Sequence, residues 1–230
     1  DIEGVDVESD LSLRAARRLQ QEARTAGRRW GGAVITIDKR IPLGSGLGGA
    51  STDAASVLLG LNALWGCGFE VEALTDMGRS LGADVPVFVQ GHSAWAEGIG
   101  DRLTPLPLGP RWYVLLFPGE GAETAALFAD PGLRRDAPLL QAGLRDDLCD
   151  LGNDFLPVLL KRSPAVADAV DFLRDFGTPR LTGSGSTLFL EASDEAAANR
   201  LTSALKNHYN VRAVRGLDRS PALDAVAPGG

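Results

Sequence analysis

The chain has 230 residues, of which 44% are hydrophobic, and a formal net charge of −7. That length suits one large domain or two small ones with a buried core, and the acidic balance argues against a nucleic-acid partner, which calls for a basic surface. No apolar run reaches the roughly 18 residues of a membrane span, and the acidic, polar start "DIEGVDVESD" does not read as a signal peptide.

Two cysteines, Cys67 and Cys149, are too few and too far apart for a disulfide framework or a zinc site, and they fit a reducing cytosol. His92 and His208 have no metal-ligand spacing and read as surface or core residues. The chain begins with Asp rather than Met and reads as a fragment.

In chain order, Asp10 to Gly27 reads as an amphipathic helix capped by Ser9 or Asp10, with Leu11, Ala15, Leu19 and Ala23 on one face. "AVITID" alternates and predicts a half-buried strand. The stretch "IPLGSGLGGASTDAA" follows and runs into a helix striped by Ala54, Val57, Leu58, Leu61, Leu64 and Trp65. "EVEALTDMGRSLG" predicts a second helix, "GADVPVFVQG" is a short apolar run, and "SAWAEGIGDRLTPL" reads as strand, turn, strand.

The Pro-rich "TPLPLGP" is the candidate boundary, giving domains over 1–108 and 109–230. "RWYVLLF" opens the second half as a strand, and helices are expected near Glu123–Ala129 and Leu139–Leu148. Ser163 with Pro164 starts another helix. "RLTGSGSTLFLEAS" reads as strand end, glycine turn and strand; Ser193 is expected to cap a helix to about Lys206, and "VRAVRG" is the last strand. The final dozen residues, rich in Ala and Pro, are expected to be loose. Without a regular βαβ repeat, the order predicts an α+β fold in two layers.

Four glycines in six residues, Gly44, Gly46, Gly48 and Gly49, raise the functional question. Gly44, Gly46 and Gly49 formally spell the dinucleotide fingerprint. That fingerprint needs a strand ending in an acid about 20 residues on; Glu70 lies near that distance but opens a helical pattern. A P-loop needs Lys after its last glycine, and Ala50 stands there. What survives is a glycine turn feeding a helix start, whose free N–H groups and positive dipole end suit a phosphate, with Ser51 and Thr52 adding hydroxyls. A plain tight turn is the alternative.

"PLGSGLGGASTDAA" resembles the phosphate loop of the galactokinase, homoserine kinase, mevalonate kinase and phosphomevalonate kinase (GHMP kinase) superfamily. "LGADVPVFVQGHSAWAEGIGD" resembles the segment carrying that superfamily's catalytic aspartate, and "RLTGSGSTLFLEA" its third, C-terminal glycine motif. The likeness runs from about Gly4 to Leu217. It implies a two-domain α+β GHMP-kinase architecture with the active site in the inter-domain cleft, small-molecule kinase activity with ATP and Mg²⁺, and a cytoplasmic setting. Within the superfamily, "IDKRIPLGSGLGGASTDAA", "LNALW", "LGADVPVF" and the "GND" of 152–154 resemble the members that phosphorylate the 2-hydroxyl of 4-diphosphocytidyl-2-C-methyl-D-erythritol, a step of non-mevalonate isoprenoid precursor biosynthesis. A kinase for another small alcohol and a nucleotide-binding but catalytically impaired fragment are the alternatives.

Residue by residue, the resemblance assigns Pro42, Leu43, Gly44, Ser45, Gly46, Leu47, Gly48, Gly49, Ala50, Ser51 and Thr52 to the ATP phosphate loop, and Asp84 to the catalytic aspartate. From the residues alone, Asp84 reads rather as a helix cap after Gly82, and the resemblance reverses that reading. Lys39 aligns with a nucleotide-pocket position or is an exposed strand-end lysine. Thr124 and Phe128 align near the acceptor, where an aromatic ring could stack on cytosine or lie in the core. Gly183, Ser184 and Gly185 align with the third motif, or form a hairpin turn. The family's opening "P-A-K-L-N-L" strand, with a lysine that helps catalysis, and its cytidine-holding Tyr-His pair have no match in Asp1 to Asp10, so a family member lacking its N-terminal segment is expected.

Overall fold

The computed structural model describes residues 6–119, 123–137 and 151–227; the helix expected over Leu139–Leu148, and Cys149, lie outside them. The chain folds as two compact units. The first comprises 1–40, 48–108 and 217–230, and the second 41–47 and 109–216.

The first unit is built on helices. Asp10 accepts hydrogen bonds from the Ser12 and Leu13 amides and so starts α1 (Leu11–Thr25). Its buried face is Ser12, Ala15, Leu19 and Ala23, the i, i+3, i+4 spacing of one helical stripe. The helix α2 (Gly49–Trp65) buries Ala54, Ala55, Leu58, Leu59 and Leu61, and Gly66 ends it in the left-handed conformation. The helix α3 (Val71–Arg79) turns Leu74 and Met77 inward. These side chains, with Cys67, Val85 and Val89, make one core. The Cys67 thiol is buried, which pushes its pKa up, and it donates to the Arg29 carbonyl at 3.1 Å, so it serves packing.

The apolar run "VPVFVQ" forms α4 (Val85–Gln90). A Pro in the first turn is pre-organised for a helix, and Gly91 at φ 64° stops it. The hairpin β1 (Ala94–Glu97) and β2 (Arg102–Pro105) is antiparallel, with Ala94 opposite Pro105.

"AVITID" departs from expectation. Its exposure does alternate, with Ile35 and Ile37 half-buried and Val34, Thr36 and Asp38 exposed, yet no strand forms. A strand exists through its ladder, and among the described residues the backbone of 33–38 makes no hydrogen bond to a neighbouring strand.

The second unit is a four-stranded antiparallel sheet of order β4-β5-β3-β6, from β3 (Arg111–Phe117), β4 (Arg180–Leu181), β5 (Leu188–Ala192) and β6 (Asn210–Gly216). Leu190 faces Val114 and Leu188 faces Leu116 in register. Their side chains meet the buried residues of α6 (Leu156–Arg162), α7 (Pro164–Leu173) and α8 (Glu195–Leu205) in a second core, which also takes Leu127 of α5 (Thr124–Phe128). Ser163 caps α7 through the Val166 amide, with Pro164 at the first position. At α8 the cap is Asp194, which accepts from the Ala197 amide at 2.7 Å, and not Ser193, whose hydroxyl donates to Asp194.

Of the final dozen residues, the described ones, up to 227, are not loose. They form α9 (Ala222–Ala225), and Leu223 and Val226 pack against the core of the first unit. Among the described residues, no helix is long and apolar enough to cross a membrane.

Candidate functional site

The residues from Pro42 to Thr52 pass from the second unit to the first between Leu47 and Gly48. Gly44, Gly46 and Gly48 sit at φ 64°, 72° and 67°, the left-handed region that side chains other than glycine's enter at a cost. Gly49, the last glycine of the formal fingerprint, is already helical.

In the first unit, Gly48 is the N-cap of α2 and offers no side chain to the first turn. Among the described residues, the Gly49, Ala50 and Ser51 amides have no hydrogen-bond partner; Thr52 N–H already donates to the Gly48 carbonyl at 2.8 Å. Three amides at the positive end of a 17-residue helix make an anion site by geometry. The Thr52 hydroxyl donates to the same Gly48 carbonyl at 3.0 Å, so its proton is engaged and its lone pairs remain for a further contact.

Phe88 of α4 presses on this helix start: a Cβ at Gly48 would stand 2.8 Å from its ring. Asp84 begins the same short helix. It occupies the N-cap position but makes no capping hydrogen bond, and its side chain is exposed. The carboxylate is therefore not spent on the helix. Lys39 is spent: its Nζ lies 2.6 Å from Asp53 Oδ2 on α2, with the side chains 19% and 30% exposed. Asp53 escaped the reading of the sequence, although its place one residue past Thr52, inside the loop motif, was the available signal.

In the second unit, the turn between β4 and β5 carries Gly183, Ser184 and Gly185. Ser45 and Gly46 dock on it. The Ser45 carbonyl accepts from the Thr187 amide and the Thr182 hydroxyl, both at 3.2 Å. A Cβ on Gly46 would overlap the Thr182 carbonyl and lie 2.8 Å from the Gly185 nitrogen. Gly46 and the turn of 183–185 thus meet backbone to backbone.

Thr124 and Ser184 share a hydrogen bond of 2.7 Å between their hydroxyls, which ties the start of α5 to the turn. Phe128 is 59% exposed and stands edge-on to Phe155 at 4.9 Å, so it is not a core residue. It opens onto a cavity of about 680 Å³ shared with Leu133, Arg134, Asn153, Phe155 and Gly183.

Among the described residues, no group of three or more His, Cys, Asp or Glu could hold a metal. Mg²⁺ takes few protein ligands and keeps waters and substrate phosphates. The hydroxyl oxygens of Ser51 and Thr52 are hard donors of the kind it accepts, so the residues present fit an ion that arrives with a nucleotide and not a dedicated cage.

Residues 10–92 match the family described as GHMP kinases N terminal domain, and 127–211 match GHMP kinases C terminal. The chain belongs to the GHMP kinases. Among curated relatives, a protein of Xanthomonas campestris pv. campestris (strain B100) named 4-diphosphocytidyl-2-C-methyl-D-erythritol kinase is 48% identical over 223 residues, which are 97% of this chain and 74% of the relative. One of Chromohalobacter salexigens with the same name is 44% identical over 231 residues, 98% and 76% of the two chains.

A crystal structure of 4-(cytidine 5'-diphospho)-2C-methyl-D-erythritol kinase matches with TM-score 0.78 and 32% identity, covering 93% of this chain and 80% of that one. A homoserine kinase from Cytophaga hutchinsonii shares the fold at TM-score 0.61 and 17% identity, covering 95% and 79%. The α+β GHMP-kinase fold expected from the sequence is the fold found.

Proposed function

We propose that this chain transfers the γ-phosphoryl group of ATP to the 2-hydroxyl of 4-diphosphocytidyl-2-C-methyl-D-erythritol, in the formation of isoprenoid precursors; its 44–48% identical relatives are named 4-diphosphocytidyl-2-C-methyl-D-erythritol kinase. The observation that carries the reading is the pairing within the first unit of an uncapped, exposed Asp84 with the open helix start of α2, joined by Phe88 packed on Gly48.

Phosphoryl transfer asks a protein mainly for positioning and charge stabilisation. In this reading the Gly49, Ala50 and Ser51 amides hold phosphate oxygens, and Ser45, Gly46 and the neighbouring loop residues from Pro42 to Leu47 shape the donor's bed. Asp84 accepts a hydrogen bond from the acceptor hydroxyl and takes its proton as the new O–P bond forms and ADP leaves. Ser51 and Thr52 would supply protein oxygens to a Mg²⁺ ion arriving with the nucleotide, which would neutralise phosphate charge. Lys39, fixed by Asp53, flanks the nucleotide. Thr124, Phe128, Gly183, Ser184 and Gly185 receive the acceptor, whose cytosine fits the exposed Phe128 ring. The working parts divide between 1–108 for the nucleotide and 109–230 for the acceptor side. No nucleic acid or membrane takes part, and the cytoplasm is the proposed compartment.

The test is ADP release with Mg-ATP and the cytidine diphosphate-linked acceptor. Asp84→Asn keeps shape and loses the base, so turnover is expected to fall about 10²–10⁴-fold while binding of an ATP analogue is retained. Unchanged turnover in Asp84→Asn removes the base role. Tight analogue binding by the wild-type chain without any ADP release shows a nucleotide-binding module instead. ADP release with homoserine or mevalonate, and none with the cytidine compound, reassigns the acceptor.

A further inference from the structure

We infer that Asn153 is a positioning residue for ATP: it sets the phosphate loop through the third glycine turn without touching the nucleotide. This rests on the assignment of 42–52 as the ATP loop.

The Asn153 side chain makes three hydrogen bonds that fit one orientation of its amide. Its Nδ2 donates to the Leu181 carbonyl at 3.1 Å and to the Gly183 carbonyl at 2.7 Å, while its Oδ1 accepts from the Phe155 amide at 2.9 Å. Two carbonyls on one side and an N–H on the other fix which end is the amide nitrogen. The two carbonyls belong to the residues on either side of Thr182, so the amide grips the turn around it.

Thr182 is the next link. Its hydroxyl donates to the Ser45 carbonyl, its own carbonyl accepts from the Gly185 amide at 2.7 Å, and its amide donates to the Thr187 carbonyl at 3.0 Å. Gly46 lies against this backbone with no room for a methyl group, and a Cβ on Gly183 would be 3.1 Å from the Gly46 carbonyl. The residues therefore connect in sequence: Asn153 holds 181 and 183, these hold Thr182, and Thr182 holds Ser45.

The register of this contact matters because glycines alone give the loop no preferred shape. A turn of three residues with two glycines, at φ 48° and 86°, is soft by composition. A side chain with two donors aimed at its carbonyls supplies the stiffness the turn lacks. Asp in the same place would keep the acceptor for Phe155 and lose both donors; Ala would lose all three bonds.

The test is calorimetry with a non-hydrolysable ATP analogue and, separately, with CDP as the acceptor probe, on the full chain below its melting temperature. Asn153→Ala and Asn153→Asp are each expected to weaken the ATP analogue about tenfold, the size of one to two hydrogen bonds, and to weaken it more than they weaken CDP, whose cavity Asn153 also lines. Thr182→Val breaks the same path one step on, keeps Asn153 in place, and is expected to weaken the analogue similarly. The double variant is expected to fall short of the sum, since both act through one contact.

Wild-type binding with unchanged analogue affinity in the Asn153 variants overturns the inference and leaves the kinase reading intact. Additive losses in the double variant overturn it as well, as does equal weakening of ATP analogue and CDP, which marks a purely structural role. Should the Asn153 variants fail to fold, unchanged analogue affinity in Thr182→Val overturns it. No analogue binding by the wild-type chain removes the nucleotide assignment itself.

Discussion

Gly44 and Gly46 have nearly the same backbone angle and quite different surroundings, so they separate two reasons for glycine. At Gly44 nothing lies within 4 Å of where a methyl group would stand; only the left-handed φ of 64° resists it. Gly44→Ala is expected to cost about 1–2 kcal/mol in urea unfolding. At Gly46 the same angle is joined by overlap with the Thr182 and Gly185 backbone, which cannot rotate away as a flexible side chain can. Gly46→Ala is expected to cost roughly 3 kcal/mol or more and to weaken ATP analogue binding, because Ser45 loses its dock. Equal midpoints for the two variants would contradict the close approach. The letters of the loop hid this distinction. The formal fingerprint picks Gly44, Gly46 and Gly49, whereas the residues that need glycine by conformation are Gly44, Gly46 and Gly48. Spacing along a sequence does not encode φ, so the fingerprint misled while the cluster itself was informative. Asp84 shows the converse: the resemblance singles it out, but whether its carboxylate caps α4 or stands open depends on backbone angles that no residue type reveals.

Capping decides the helix starts, and α8 gives the sharpest test. The Asp194 carboxyl is held below the usual carboxylate range, first by the Ala197 amide and then by the Ser193 hydroxyl. A depressed folded-state pKa means that the cap's contribution is complete above the unfolded value near 3.9 and is lost as pH falls through the lower folded value. Asp194→Ala is expected to lower the urea midpoint at pH 7, as loss of an N-cap does, and progressively less relative to wild type below about pH 4. Asp194→Asn, an equally good cap by type, is expected to hold near wild-type stability at pH 7 with a flatter acid limb. Urea midpoints from pH 7 down to 3 check both; an acid limb for Asp194→Asn as steep as wild type refutes the assignment. Helices with a strong stripe and a cap, such as α1, were legible to within two residues, because period and chemistry both act locally. The stretch 33–38 was half legible: its alternating exposure is a property of the segment, but strand formation needs a partner that periodicity cannot supply. In α4 the β-branched run pointed nowhere by itself, and Pro86 in the first turn with Gly91 at the end resolved it as helix.

The largest-scale feature absent from any local pattern is the return of the chain end. After β6 the chain leaves the second unit, and 217–227 packs on the first, more than a hundred residues away in sequence. The joint is specific. Ser93 N–H donates to the Asp218 carbonyl at 3.0 Å, Leu108 N–H to the Asp218 carboxylate at 2.7 Å, and Ser220 N–H to the Gly91 carbonyl at 2.8 Å, with Arg219 bridged to His92. Leu223 then covers Gly91, where a Cβ would sit 2.8 Å from it. Rich in Ala and Pro and without periodicity, this tail looked loose because what orders it is tertiary. Its placement means that the first unit is completed only by residues made after the second. If the strap is a working part of that unit, loosening it should be felt locally, at α4 and the adjoining β1, and not in the sheet of the second unit. Leu223→Ala, at a half-buried leucine, is expected to cost about 1–2 kcal/mol, below the range for a fully buried one. In native-state hydrogen exchange the amides of Val87–Gln90 and of β1 are then expected to lose protection by about one order of magnitude, as that cost implies, while β3 and β5 keep theirs. Because Asp84 begins α4, the same variant is expected to lower turnover more than it lowers binding of an ATP analogue. Protection in α4 that is unchanged by Leu223→Ala would show that the strap only rests on the unit, and that Asp84 is positioned without it.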